Sequence, residues 1–556
     1  MIQNNRKIIT IAIITFFVIL LVVDRYYWAQ ISQWREDQAT NIWLGYTSGV
    51  RNIPVGLISS TDIPNPNGMV LLGFILSALP NLLSVSFFLG LIQIVLLTLV
   101  GWRSFGRDWK YFLLAVIPSL LSVILRSSSV EFWNQYTMTL VNICFIYLAV
   151  RYLEKPSLWS LPPIIVLILL APSLYLAGIV NAIVMAFLTS IILLYRRPRL
   201  NGAFPVLIIL LILISSSIIL TWHPYFQNVG LEQILGYRKG SLGMVGTLHT
   251  FWNAFWSLPN YVTFQWTNSS EFDLTFKHAS PQLLSSTSNF LLKLVGRTYL
   301  LQAVFAFTVF ASLLVAIVWK LTSSKNFEIR VNSPALRLVI LAGLFISLSY
   351  GISSWLNGPA WIEGERPDQT VQFLPMFLFI IFLLPTAILI GGCAGKIISG
   401  ISYISLAGFS IINILCGFLI IRDHLQYRGD VLTEADVPLI QKMQALDFIV
   451  TDWKKRSNSN IIPVDYDIGG GKWDWVPEFG NKLLQWYPAP MTQGRSFDYE
   501  LLRHYDLINW QEGKQIRAFG NARYLVTYAF EAPPQSNRTG IRHYIFGRLR
   551  VSVLEE

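Results

Sequence analysis

The chain has 556 residues, of which 53% are hydrophobic and only 13% charged, with a mean hydropathy of +0.51. Soluble domains carry about 25% charged residues, so this composition excludes a soluble enzyme, a disordered chain and a fibrous protein, and leaves a polytopic α-helical membrane protein. The net charge of +11 comes from Lys and Arg placed between apolar runs, as membrane topology produces, and argues against nucleic acid as a partner.

The first apolar run, Ile8 to Val23, follows Arg6 and Lys7 and precedes no small-residue cleavage site. It reads as a retained signal anchor. In chain order the sequence predicts about 11 spans, at 8–24, 84–102, 111–126, 136–152, 160–174, 177–195, 203–222, 299–320, 334–352, 371–391 and 398–421. With a cytoplasmic N-terminus the inner loops hold 15 Lys and Arg, from Arg6 and Lys7 to Lys396. The short outer loops hold only Arg25, Arg35, Arg51, Arg126 and Arg366. That asymmetry predicts N-in, C-out in a plasma (inner) membrane. Residues 69–83 are apolar but short and contain Pro80, so they read as an interfacial helix. Counting them as a twelfth span would break the charge asymmetry.

The outer side then carries loops 24–83, 223–298 and 353–370 and a tail. The chain divides into a membrane module, 1–421, and a small extracytoplasmic α/β domain, 422–556, which holds 17 of the 42 Lys and Arg residues. A helix is expected from Thr433, with Glu434 and Asp436 in its first turn, to about Arg456. Strands are expected within 522–530 and 542–554. Cys144, Cys393 and Cys416 show no CxxC spacing and read as small packing residues.

Chemistry-bearing residues gather in four places on the predicted outer face. In Trp34-Arg35-Glu36-Asp37-Gln38 the acid is either a solvated partner of Arg35 or a partly desolvated carboxylate with a raised pKa, usable as a base. Residues 63–68, IPNPNG, form a stiff turn. Arg126 to Tyr136 supplies Glu131, Asn134 and Gln135, either as an interfacial loop with an aromatic belt or as part of a site. Glu363, Glu365, Arg366 and Asp368 form either a self-neutralised hairpin or an anchor for phosphate through Arg366. The residues alone leave these pairs of readings open.

The arrangement resembles the C-type glycosyltransferase (GT-C) superfamily, whose members include aminoarabinose transferases and protein mannosyltransferases. Asp37-Gln38-Ala39 stands where that family has Asp-Glu-Ala after the first span, and Pro66-Asn67-Gly68 where it has Pro-Pro-Gly. Segment 126–151 looks like the family's turn between third and fourth spans, with Glu131 as its second acid or Asn134 in that acid's place. The likeness covers roughly residues 1–200 and the outer C-terminal domain. It implies a GT-C-like fold and inverting transfer from a polyprenyl-phosphate sugar to a glycan, lipid or protein hydroxyl. Asp37 would be the base and Glu131 the second catalytic acid. Arg366 and Arg126 would hold the donor phosphate, with Glu36, Asn134 and Gln135 orienting substrate. No organic cofactor is implied; a divalent cation, Mg or Mn, serves some relatives. Two other classes compete: a transporter or flippase of a lipid-linked or small solute, and a non-catalytic assembly subunit. Spans nearly free of acids and bases weigh against the transporter, since transporters place charges and broken helices near the midplane.

Overall fold

The structure is a computed structural model. It describes residues 2–32, 34, 38, 41–42, 44–46, 65–104, 112–176, 178–196, 203–228, 285–298, 301–302, 305, 333–357, 373, 376–378, 380–382, 396–427, 437–457, 461–462, 464–467, 506–507, 523–530 and 540–554.

The apolar runs form helices, as they must where no water satisfies backbone groups. The first is α1 (Ile2–Gln30), then the short α2 (Gly68–Leu76) and α3 (Leu82–Ser104). A π-turn (Phe112–Val116) leads to α4 (Ile117–Leu121) and α5 (Val123–Ser129). Next come α6 (Asn134–Glu154), α7 (Leu161–Leu174), α8 (Gly178–Tyr195), α9 (Ala203–Ser217), a second π-turn (Ile218–Trp222) and α10 (His223–Asn228). Later in the chain lie α11 (Ser333–Asn357), α12 (Lys396–Gln426) and α13 (Leu439–Arg456). Among the described residues six helices are long and apolar enough to cross a membrane: Ala12–Gln30, Leu82–Trp102, Tyr136–Glu154, Gly178–Tyr195, Ala203–Trp222 and Gly400–Gln426. The predicted spans at 299–320 and 371–391 fall largely outside the described residues.

Residues 69–83 do not form one helix. α2 has 9 residues, a rise of about 13 Å, too short to cross about 30 Å of hydrocarbon. It ends at Ser77, and Asn81 starts α3 by accepting the Ser84 N–H on Oδ1 at 2.8 Å. The expected single span at 111–126 is broken. Pro118 lacks an N–H and crowds the preceding turn, which widens to the π-turn, and Ser122 is extended at φ −54°, ψ 127°. Two short helices therefore replace one.

The helices share one apolar core. α3 packs on α1 and α6, and α7 on α6 and α8. Beyond α12 the chain forms a four-stranded sheet from β2 (Val464–Asp467), β4 (Tyr524–Tyr528), β5 (Ile541–Phe546) and β6 (Leu549–Leu554), in the order β2-β4-β6-β5. β2 and β4 run parallel and the other neighbours antiparallel. A second pair, β1 (Ile461–Ile462) with β3 (Asp506–Leu507), is parallel. The β5–β6 hairpin turns at Gly547, φ +64°, a left-handed conformation that favours glycine. α13 begins at Leu439 behind Pro438, and the expected acidic first turn at Glu434 and Asp436 lies outside the described residues. One stripe of the helix meets two partners along its length. Leu446 and Ile449 join Tyr524, Val526 and Val551 in the core of the sheet, while Leu439 joins the core of the membrane bundle.

Candidate functional site

The chain leaves α1 through a turn in which the Ile31 and Ser32 N–H groups donate to the Trp28 and Ala29 carbonyls. This directs Trp34 into the protein, where it is fully buried. Three elements hold it. Its Nε1 donates to Ser86 Oγ of α3 at 2.9 Å. Its ring stacks on Phe132 with centroids 6.2 Å apart. Its carbonyl accepts a hydrogen bond from Lys442 Nζ of α13 at 3.0 Å. Gln38, Asn41 and Ile42 are buried as well, and close backbone packing against α2 explains why. A Cβ on Gly73 would meet the Asn41 carbonyl at 2.5 Å, and one on Gly45 the Val70 carbonyl at 2.5 Å.

Phe132 belongs to the turn between α5 and α6. The stack therefore brings the turn that carries Glu131 and Asn134 against Trp34, the residue at the end of the turn that leaves α1. Glu131 is buried at 5% exposure, and Asn134, the first residue of α6 after Trp133, is buried too. Glu36, Asp37 and Arg366 lie outside the described residues, as does the side chain of Gln135.

Pro66-Asn67-Gly68 is more than a turn. Asn67 Nδ2 donates to the Leu220 carbonyl of the second π-turn at 2.8 Å. Asn65 Oδ1 accepts the Leu176 N–H at 3.2 Å. A Cβ on Gly68 would lie 2.4 Å from the Ser173 carbonyl oxygen, so the motif is the contact by which α2 crosses the end of α7.

Arg126 takes a place that the sequence did not disclose. Its Nη1 donates to Asp24 Oδ1 at 2.8 Å, its Nη2 to the Asn413 carbonyl, and its guanidinium lies over the Trp28 ring, 5.4 Å from the centroid. Asp24 Oδ2 also accepts from Arg25 Nη1 at 2.8 Å. Arg25 and Arg126 are 0% and 1% exposed. The network surrounds the helix break. Arg25 Nη2 donates to the Leu120 carbonyl at the end of α4 at 2.9 Å. Asn413 Oδ1 of α12 accepts the Val123 N–H at the start of α5 at 3.1 Å. Broken helices persist in a membrane where neighbours satisfy the freed backbone groups, and here α1 and α12 supply them. Asp24 and Asn413 each take one N–H of the Arg126 guanidinium, which carries five, and the side chain is 1% exposed.

Asp24 and Arg25 lie towards the end of the helix Ala12–Gln30, one of those long and apolar enough to cross a membrane. Their position at the end of an apolar run read as the start of an outer loop. Ser86, Asn413 and Lys442 were also missed. Each is ordinary in its local sequence, and only packing between distant segments gives it a role.

No family model and no curated protein matches the chain. Among solved structures it is similar to the crystal structure of ArnT from Cupriavidus metallidurans bound to undecaprenyl phosphate, at 12% identity and a TM-score of 0.42, over 98% of each chain. At this score the likeness carries no functional argument.

Proposed function

We propose that the chain is an integral-membrane glycosyltransferase that moves a sugar, with inversion, from a polyprenyl-phosphate donor to an acceptor hydroxyl on the extracytoplasmic face. One observation supports this most: Trp34, three residues before Asp37, is clamped by three separate elements, one of which brings up the buried Glu131 turn. General-base catalysis needs a base that stays within hydrogen-bond reach of the proton it removes, and a fixed Trp34 supplies an anchor three residues before the proposed base.

In this reading Asp37 takes the acceptor proton as the hydroxyl oxygen attacks the anomeric carbon, and the bond to the lipid phosphate breaks on the opposite face. Arg366 stabilises the charge that grows on the departing phosphate. Glu131 orients the acceptor, helped by Glu36, Asn134 and Gln135. A magnesium or manganese ion takes several oxygen ligands, so Glu131 alone would not hold one.

A broken helix beside buried charges is a feature that transporters share, and it favours a transporter as the second reading. Against it, the Leu120 carbonyl and the Val123 N–H at the break are taken by neighbouring helices. One experiment separates the two. Purified wild type and Asp37→Asn are supplied with a panel of polyprenyl-phosphate sugars, and release of polyprenyl phosphate is followed by mass spectrometry. Turnover by wild type with a loss of about 10²–10⁴-fold in Asp37→Asn is expected. Full activity in the variant removes Asp37 as base. Folded wild type that turns over no donor, yet moves lipid-linked sugar across liposomes, replaces the enzyme with the transporter.

A further inference from the structure

The tail contributes a lysine to the membrane module. Lys442 lies in the first turn of α13 and is 1% exposed. Its ammonium reaches the Trp34 carbonyl, 408 residues earlier in sequence, at 3.0 Å. Burying an ammonium is costly, and a charge-assisted hydrogen bond to a carbonyl is among the stronger compensations for it.

Other contacts also join α13 and the sheet to the bundle. The neighbouring Gln441 accepts the Arg548 N–H on Oε1 at 2.9 Å. Arg548, fully buried, donates from Nη2 to the His424 carbonyl at the end of α12 at 2.7 Å. Leu439 lies in the core of the bundle. Lys442 extends past these contacts to the chain leaving α1.

Resting on the function proposed above, we propose that Lys442 is a positioning residue: it fixes the first outer segment at Trp34, and so sets the placement of Asp37. The tail would thereby be part of the catalytic assembly rather than only a docking or glycan-binding appendage. Trp34 is held from the membrane side by Ser86 and Phe132, which fix the ring, and from the tail side by Lys442, which fixes the backbone. With the backbone released, the ring still anchors residue 34, but the peptide leading into 35–37 gains freedom.

The test uses the full-length protein in detergent, comparing Lys442→Met and Lys442→Arg with wild type. Amide hydrogen exchange over 33–46 is read alongside exchange in the bundle and sheet, together with kcat and KM for the donor. Lys442→Met is expected to speed exchange in 33–46 alone and to lower kcat by about 10²-fold, the order that a misplaced catalytic group costs, with KM for the donor within about twofold. Lys442→Arg, which keeps a cationic donor, is expected to recover most of both. If Lys442→Met does not fold, Lys442→Gln, which keeps an N–H donor, is compared with Lys442→Arg on the same readings. Unchanged exchange in 33–46 overturns the proposal. So does a fall in melting temperature with kcat preserved, which marks a merely structural tether. Wild type that turns over no donor overturns the glycosyltransferase reading, and the exchange data then decide on Lys442 by themselves.

Discussion

Asp24 carries two guanidinium groups on one carboxylate, at 2.8 Å each. Removing one partner from a buried ion pair costs about 3–5 kcal/mol, because an uncompensated charge is left behind. Here the aspartate serves two arginines, so Asp24→Asn removes the carboxylate from both and leaves them the Leu120 and Asn413 carbonyls. The expected outcome is a loss of at least about 3–5 kcal/mol in stability, read as a lowered melting temperature in detergent. The variant also tests the role expected of Arg126 in donor binding. Unchanged stability with altered donor affinity would mean that Arg126 readily leaves Asp24 for phosphate. Sequence alone could place Arg126 and Glu131 near one membrane face, because both flank the same apolar run. It could not pair Arg126 with Asp24 or Asn413, since those partners are 102 and 287 residues away and ion-pair choice follows from helix packing.

The short helix α2 and the turn that precedes it are held by backbone proximity. Gly68 lets α2 approach the Ser173 carbonyl, where a Cβ would come within 2.4 Å. Neither side of that contact is a flexible side chain, so Gly68→Ala has to move the helix. A cost of about 1–3 kcal/mol follows, by analogy with overpacking elsewhere. Because α2 in turn packs on Asn41 through Gly73, transfer activity should fall with stability. Melting and turnover measured on the same preparation check this, and a variant with wild-type melting would show that α2 has room to shift. Pro66-Asn67-Gly68 was legible as a motif and α2 as a short apolar helix behind it, although the helix is shorter than 69–83. The break at Ser122 was not legible. Pro118 signals a disturbance, but Pro is common in membrane helices whose neighbours compensate, and those neighbours are distant in sequence.

At the scale of the whole molecule, the excess of Lys and Arg in alternate loops predicts a cytoplasmic N-terminus and an outer C-terminal sheet. Arg542 lies exposed on β5, so a membrane-impermeant thiol reagent added to intact cells should label Arg542→Cys and leave wild type unlabelled. Labelling only after permeabilisation would reverse the orientation and put the Trp34 junction on the inner side. The long apolar runs made the spans easy to find, because hydrocarbon thickness fixes their length. The tail's change of composition likewise pointed to the strands that form the sheet after α12. What composition could not convey is that α13 belongs to both units, with Leu439 and Lys442 turned to the bundle and Leu446 and Ile449 to the sheet. A helix of mixed polarity reads as the surface of one domain, and the second role of its N-terminal end becomes visible only beside the bundle.

The joint between α4 and α5 has a consequence for how the chain is made. Val123 emerges from the ribosome 290 residues before Asn413, the side chain that takes its N–H. At about 5–20 residues per second, the interval is roughly 15–60 s. Throughout that time the third hydrophobic segment is in or at the membrane with its break unsealed from the α12 side. Arg25, made earlier, can already take the Leu120 carbonyl, so the joint is completed in two stages from opposite ends of the chain. The joint is therefore expected to close fully only once α12 has been made.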